Sequence, residues 1–241
     1  MTLADGPPPL NPVVRGRSTR DRPPKPPLSF DAVVDAALTI LQAEGVEAVT
    51  MRRVARALDT GAASLYVYVP NREGLLVAML DRVTGSIELE EPDPSCWRAQ
   101  LHSLLLRLYQ ALTAHPGIAA LTVGDPPTTE TVLLVAENLF GILLAGGVDT
   151  QDAAWACDIF TMLTTAAAAE EDVRRSPGHS FENREERVED LRRMFGGLAT
   201  ERFPLISAHA DEMLAGDAEE RFAFGIDLVV DGVVARAARR R

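Results

Sequence analysis

The sequence predicts an all-α fold, with a small N-terminal three-helix unit followed by a larger helical bundle. Three observations predict it. From Phe30 onward, apolar residues recur at helical spacing. Ser, Thr or Asn stands where several of these helices would begin, and Gly or Pro where they would end. No run of alternating apolar and polar residues reads as a strand.

Phe30, Val33, Val34, Ala37, Leu38 and Leu41 step along one helical face, with Ser29 as N-cap and Gly45 as the stop. A second helix is expected from about Met51 to Leu58, capped by Thr50 and burying Val54, Ala55 and Leu58. Asp59-Thr60-Gly61 supplies a turn. A short third helix is expected over 62–68 and is ended by Pro70. Asn71 caps a fourth, whose inner stripe is Leu75, Leu76, Met79, Leu80 and Val83. Further helices are expected at 95–114, 117–122, 128–145, 150–172, 185–195, 201–214 and 217–238, with a connection over 173–186. Asp149, Asp152 and Asp158 read as solvent-facing.

Eight of the 16 prolines fall in residues 1–28. Proline fixes φ and lacks a donor, so this segment reads as a disordered tail. Its five basic groups could help hold DNA, or the segment could be a plain linker. The longest apolar stretch, 131–147, is interrupted by Glu137 and Asn138 and is too short for a bilayer span. With no secretory leader pattern and no CxxC joining Cys96 and Cys157, the expected setting is cytoplasmic, with reduced thiols and no membrane association.

A net charge of −11 argues against a simple nucleic-acid binder, but its distribution does not. Residues 1–28 are net +3 and residues 29–83 net −2, so the acidity lies in the C-terminal two-thirds. There it either suppresses indiscriminate DNA binding or is ordinary solubilising charge.

Residues 50–69 have the makings of a helix-turn-helix. Ala55 is small enough for the helix crossing, and Val54, Leu58, Leu65 and Val69 lock the second helix down. That leaves Ala62, Ala63, Ser64, Tyr66, Val67 and Tyr68 to project toward a major groove. Arg52 could reach a phosphate or a guanine edge, and Arg72 opens the next helix, where amides attract phosphate. The competing reading is a helical hairpin with surface tyrosines.

Residues 29–85 resemble the N-terminal domain of the tetracycline-repressor (TetR) family. The run AEGVEAVTMRRVA at 43–55 and the block SLYVYVPNREGLL at 64–76 carry the resemblance. It implies a homodimer whose two heads read a palindromic double-stranded operator, with a small molecule in the C-terminal domain changing their separation. By position it assigns DNA contact to Thr50, Met51, Arg52, Ala62, Ala63, Ser64, Tyr66, Val67, Tyr68 and Arg72. Tyr66, Tyr68 and Arg72 would grip phosphates, while Arg52 and residues 62–64 would read bases, with Val67 against a thymine methyl. Where the family often has Gly in the turn, this chain has Asp59, a residue that tolerates left-handed dihedrals.

The resemblance continues into the family's C-terminal ligand-binding and dimerisation domain, through Trp97, the Gly124-to-Thr128 segment, Glu137-Asn138 and the Phe222-to-Gly232 stretch. It implies domains of 29–85 and 86–241, with the helices at 150–172 and 217–238 building a four-helix bundle across the dimer. Ala166 to Ala169 would allow close approach, and Ile226, Leu228, Val229, Val230, Val233 and Val234 form a broad apolar surface. The metal-chelating histidine and the arginine of tetracycline-binding members correspond to Thr122 and Pro126, so metal–tetracycline recognition is not expected. Candidate pocket residues are His102, Tyr109, Asn138, Trp155, Phe160 and Thr164.

His102, His115, His179 and His209 lack metal spacing, and no phosphate loop, nucleophile elbow or catalytic carboxylate pair stands out. No enzymatic activity, cofactor or metal is expected. The sequence therefore reads as a ligand-released repressor. The alternatives are a ligand-responsive activator, or a ligand-binding or interaction module with a vestigial head.

Overall fold

The computed structural model describes residues 27–122, 129–175 and 184–239. The first 26 residues, 123–128 with the whole Gly124-to-Thr128 segment and Pro126, 176–183 with His179, and 240–241 lie outside them, as does the side chain of Thr122. The described residues form α1 (Phe30–Glu44), α2 (Met51–Ala57), α3 (Ala62–Leu65), α4 (Arg72–Thr84), α5 (Trp97–Thr113), α6 (Glu130–Ala145), α7 (Thr150–Arg175), α8 (Arg184–Gly196), α9 (Pro204–Ala208), α10 (Ala210–Leu214) and α11 (Ala218–Arg239). Short 3-10 turns lie at Val46–Ala48 and Ala119–Thr122, and no strand occurs among the described residues.

The expected caps of the first four helices are in place. Ser29, Thr50 and Asn71 accept hydrogen bonds from the backbone N–H groups of Ala32, Arg53 and Gly74, satisfying donors that a helix start leaves free. Gly45 ends α1 at φ 82°. Asp59 sits at φ 50°, so the turn does take a left-handed residue where this chain lacks glycine. Three expected helices differ, and the one expected over 117–122 is only the 3-10 turn at Ala119–Thr122. The short helix expected over 62–68 is regular only to Leu65, because the Tyr68 N–H bonds back to the Leu65 carbonyl and tightens the last turn. The helix expected over 201–214 is two short helices, α9 and α10, because His209 leaves helical dihedrals between them.

Helices α1, α2, α3 and α4 form the head, with Val33, Val34, Ala37, Val49, Val54, Leu65, Leu75 and Met79 buried at its centre. Helix α4 packs on α1 and also on α5 and α6 of the larger bundle. Consecutive α4 residues hold opposite sides. Arg82 pairs with Asp31 and Asp35 of α1. The Asp81 carboxylate accepts the Thr131 hydroxyl of α6 at 2.6 Å, and that hydroxyl is 2.7 Å from the Thr84 hydroxyl. A second contact joins head and bundle at Gly117. Its φ of +92° excludes most side chains, and a Cβ there would come within 2.8 Å of Val46. The Gly117 N–H donates to Asp172 of α7.

In the bundle, α7 packs between α5 and α11. Asp152 corrects its expected solvent position: it is only 3% exposed and accepts Arg236 of α11 at 3.2 Å. Asp149 and Asp158 are exposed. The alanine run divides, with Ala168 in the chain's own core and Ala166 outside. Ile226, Val230 and Val233 of α11 also face inward, whereas Leu228 does not. Both cysteines are free thiols, and burial pushes Cys157 up to about 11, so it stays protonated at neutral pH. No helix among the described residues is long and apolar enough to cross a membrane.

Partial burial pushes the Asp81 carboxyl up, but the hydrogen bonds from Thr131 and Thr129, together with neighbouring Arg82, outweigh it and hold the carboxyl below its ordinary value of 3.8. A depressed folded-state value stabilises the fold above the ordinary value and loses that effect as pH falls through the folded one. Thr131→Val is expected to cost about 1 kcal/mol at neutral pH. In urea melts from neutral to strongly acidic pH, the difference from wild type should shrink as Asp81 protonates. A pH-independent difference would refute this role.

Candidate nucleic-acid interface

The face that α2 and α3 present is built by what they bury. Val54, Ala55 and Leu65 point into the head. The opposite face of α2 then carries Arg52 and Arg56, both exposed, and the face of α3 carries Ala63 and Ser64. Beyond α3, Tyr66 is 55% and Val67 81% exposed, two large side chains on a tight turn that no other described residue covers. Thr50 is at the surface, with its hydroxyl capping α2, and Ala62 is half-buried against the core.

Three of the residues expected to contact DNA are engaged within the head. Met51 is buried in the head's core and does not face outward. The Tyr68 hydroxyl donates to the Leu28 carbonyl at 2.7 Å, so it ties the start of the described chain to the head instead of standing free for phosphate. The Arg72 guanidinium donates from Nε to the Val49 carbonyl at 2.7 Å and from Nη2 to the Val46 carbonyl at 2.8 Å. It braces the segment between α1 and α2. Arg56 is a further exposed cation: its spacing of four from Arg52, opposite Val54 and Leu58, places it on the same face.

The candidate pocket residues fall into two groups. His102 and Tyr109 lie on α5, Asn138 on α6, and Phe160 and Thr164 on α7, three helices that pack on one another. His102 is half-buried. Tyr109 stacks on Phe222 with centroids 4.7 Å apart, and burial raises its hydroxyl above the ordinary value. Phe160 is fully buried, and the Thr164 hydroxyl donates to its carbonyl. Asn138 donates from Nδ2 to the Glu90 carbonyl, while its Oδ1 is buried without a hydrogen bond. Trp155 does not join them: it stands on the outer face of α7. Its position in the sequence marked it as aromatic and helical, but only the packing of α7 decides which way that face turns. Among the described residues, no group of three or more His, Cys, Asp or Glu is placed to hold a metal.

Residues 33–79 match the family described as bacterial regulatory proteins, tetR family, and residues 91–237 match the tetracyclin repressor-like C-terminal domain. The chain belongs to the TetR family. It is a helix-turn-helix transcriptional regulator. Among its TetR-family relatives is the HTH-type transcriptional repressor DrrR1 of Streptomyces coeruleorubidus, 30% identical over 226 residues that span 91% of this chain and 82% of the relative. The structure is similar to apo ActR from Streptomyces coelicolor, with a TM-score of 0.79 at 30% identity, covering 90% of this chain and 99% of ActR. It is also similar to ActR in complex with actinorhodin, with a TM-score of 0.78 at 32% identity, covering 88% and 99%.

The bracing geometry of Arg72 separates structural from DNA-contact roles. Arg72→Ala is expected to destabilise the head by about 2 kcal/mol through loss of two charge-assisted hydrogen bonds. It should lower the melting temperature in calorimetry and leave the salt dependence of DNA binding by the folded protein unchanged. An unaltered melt with a shallower salt dependence would return Arg72 to the phosphate contacts.

Proposed function

We propose that this TetR-family regulator is a homodimeric repressor that occupies a palindromic operator and leaves it when a small molecule binds its helical bundle. The dimer rests on one observation. Trp155, Ile159 and Met162 stand exposed on α7 at positions i, i+4 and i+7, and Phe224 and Leu228 on neighbouring α11 at i and i+4. Met162 is 60% and Phe224 64% exposed. A contiguous apolar surface of this kind marks an interaction site, and covering it contributes about 25 cal/mol per Å². A second copy supplies the same surface about a two-fold axis. The two heads then address half-sites one DNA turn apart, about 34–36 Å. Arg52, Ala63, Ser64 and Val67 face base edges in this reading, and Tyr66 faces the backbone.

The small-molecule part draws on the likeness to ActR, solved with actinorhodin, and to the repressor DrrR1. The buried, unbonded Asn138 Oδ1 favours an effector with a hydrogen-bond donor, lodged between α5, α6 and α7. Release requires that the effector bind one head separation more tightly than the other.

The test uses full-length protein and a duplex selected from a random-sequence pool. Wild type should run as a dimer in light scattering, shift a palindromic duplex, and lower expression of a reporter placed behind it. The Met162→Glu, Leu228→Glu double variant should run as a folded monomer and lose at least tenfold in operator affinity. A variant that remains dimeric would sink the assignment of this face. Raised reporter expression would make the protein an activator.

A further inference from the structure

The head contains five arginines between residues 29 and 83, and the structure divides them. Three hold the head together. Arg53 donates from Nε to both carboxylate oxygens of Glu44 at 3.1 Å. Arg72 holds the Val46 and Val49 carbonyls. Arg82 holds Asp31 and Asp35. Arg52 and Arg56 remain. Both are exposed, and neither side chain makes a hydrogen bond or ion pair with another described residue.

These two arginines are one helical turn apart on α2 and line a single open groove of 630 Å³. Its other lining residues are Ala55, Asp59, Thr60, Gly61 and Ala62. Three of them are Ala or Gly, and a Cβ added at Gly61 would meet nothing within 4 Å. The groove therefore has low walls that let a bulky, flat-running chain approach. Its two cations against the single carboxylate of Asp59 make it locally positive on a chain of net charge −11. It adjoins α3 and the exposed Ala63-to-Val67 surface. A DNA strand following that surface presents what this groove fits: a row of phosphates.

We propose that Arg56 is a DNA-phosphate contact, holding the strand in the groove between α2 and the Asp59–Ala62 turn. The assignment rests on the reading of this head as a DNA reader and adds a cation whose donors are not engaged by other described residues, as those of Tyr68 and Arg72 are. Because the C-terminal two-thirds of the chain is acidic, the net charge of −11 does not favour long-range attraction to DNA. The few unpaired cations on this face therefore carry a large share of the electrostatic binding. A phosphate contact sets register without reading sequence.

The experiment measures binding of the full-length protein by fluorescence anisotropy across a KCl series. Two duplexes of equal length are used: one selected from a random-sequence pool, and one of random sequence. Arg56→Gln should weaken both by a similar factor, on the order of tenfold at low salt. It should also reduce the slope of log K against log salt by about 0.9 per head. Arg56→Lys should keep the slope, because it keeps the charge. An Arg56→Gln protein with wild-type slope and affinity would overturn the proposal. So would a changed base preference at unchanged slope, which would make Arg56 a base reader. If folded, dimeric wild type bound neither duplex, the DNA-reading head itself would fall, and the Arg56 assignment with it.

Discussion

Helix α4 has to satisfy two partners at once, and most of the architecture follows from that. Its buried stripe, with Leu75, Leu76, Met79, Leu80 and Val83, closes the core of the head. Near its C-terminal end, Arg82 reaches back to the two acids of α1, while Asp81, beside it, is tied to Thr131 at the start of α6. Adjacent residues on a helix point about 100° apart, so one turn can grip two bodies. The orientation of α2 and α3 is fixed relative to α1 and α4, and hence relative to the bundle. Gly117 against Val46 gives the head a second point of support from the bundle.

The head has few cations and uses them in two different ways. Ion pairs and charge-assisted hydrogen bonds of Arg53, Arg72 and Arg82 hold its elements in register. A guanidinium already bonded to carbonyls or carboxylates gains less from a phosphate, because its donors must be released first. The surface proposed for DNA is therefore narrow: Arg52 and Arg56 on α2, small residues on α3, and Tyr66 and Val67 on the turn that follows, all of them exposed except Ala62, while Leu65 of α3 is buried. Small residues such as Ala63 allow close approach to base edges but contribute no side-chain hydrogen bond. Contacts of the apolar kind, together with DNA shape, then carry more of the discrimination.

In the bundle, the division between inward and outward apolar residues is the informative feature. Phe160, Ala168, Ile226, Val230 and Val233 fill the chain's own core, whereas Trp155, Met162, Phe224 and Leu228 do not. Both sets lie on α7 and α11, so each of these helices is apolar on more than one side. The ion pair of buried Asp152 with the half-exposed Arg236 ties the start of α7 to the end of α11. The outward residues of the two helices remain exposed in the single chain.

Much of this was legible in the order of residues. Helical periodicity, together with Ser29, Thr50 and Asn71 as caps, placed the first helices, because both signals are local and depend on neighbours three or four positions away. The motif at 64–76 marked the head and its family for the same reason. What local pattern does not carry is the partner of a long polar side chain. The sequence by itself determined an all-helical regulator with a reading head at 50–69. Only the tertiary structure decided that Tyr68 bonds Leu28, that Arg72 bonds Val46 and Val49, that Met51 is buried and Asp152 paired, and that Arg56 remains available. Those outcomes depend on which groups 20 to 85 residues away come within 3 Å, a distance set by how helices pack rather than by their own composition.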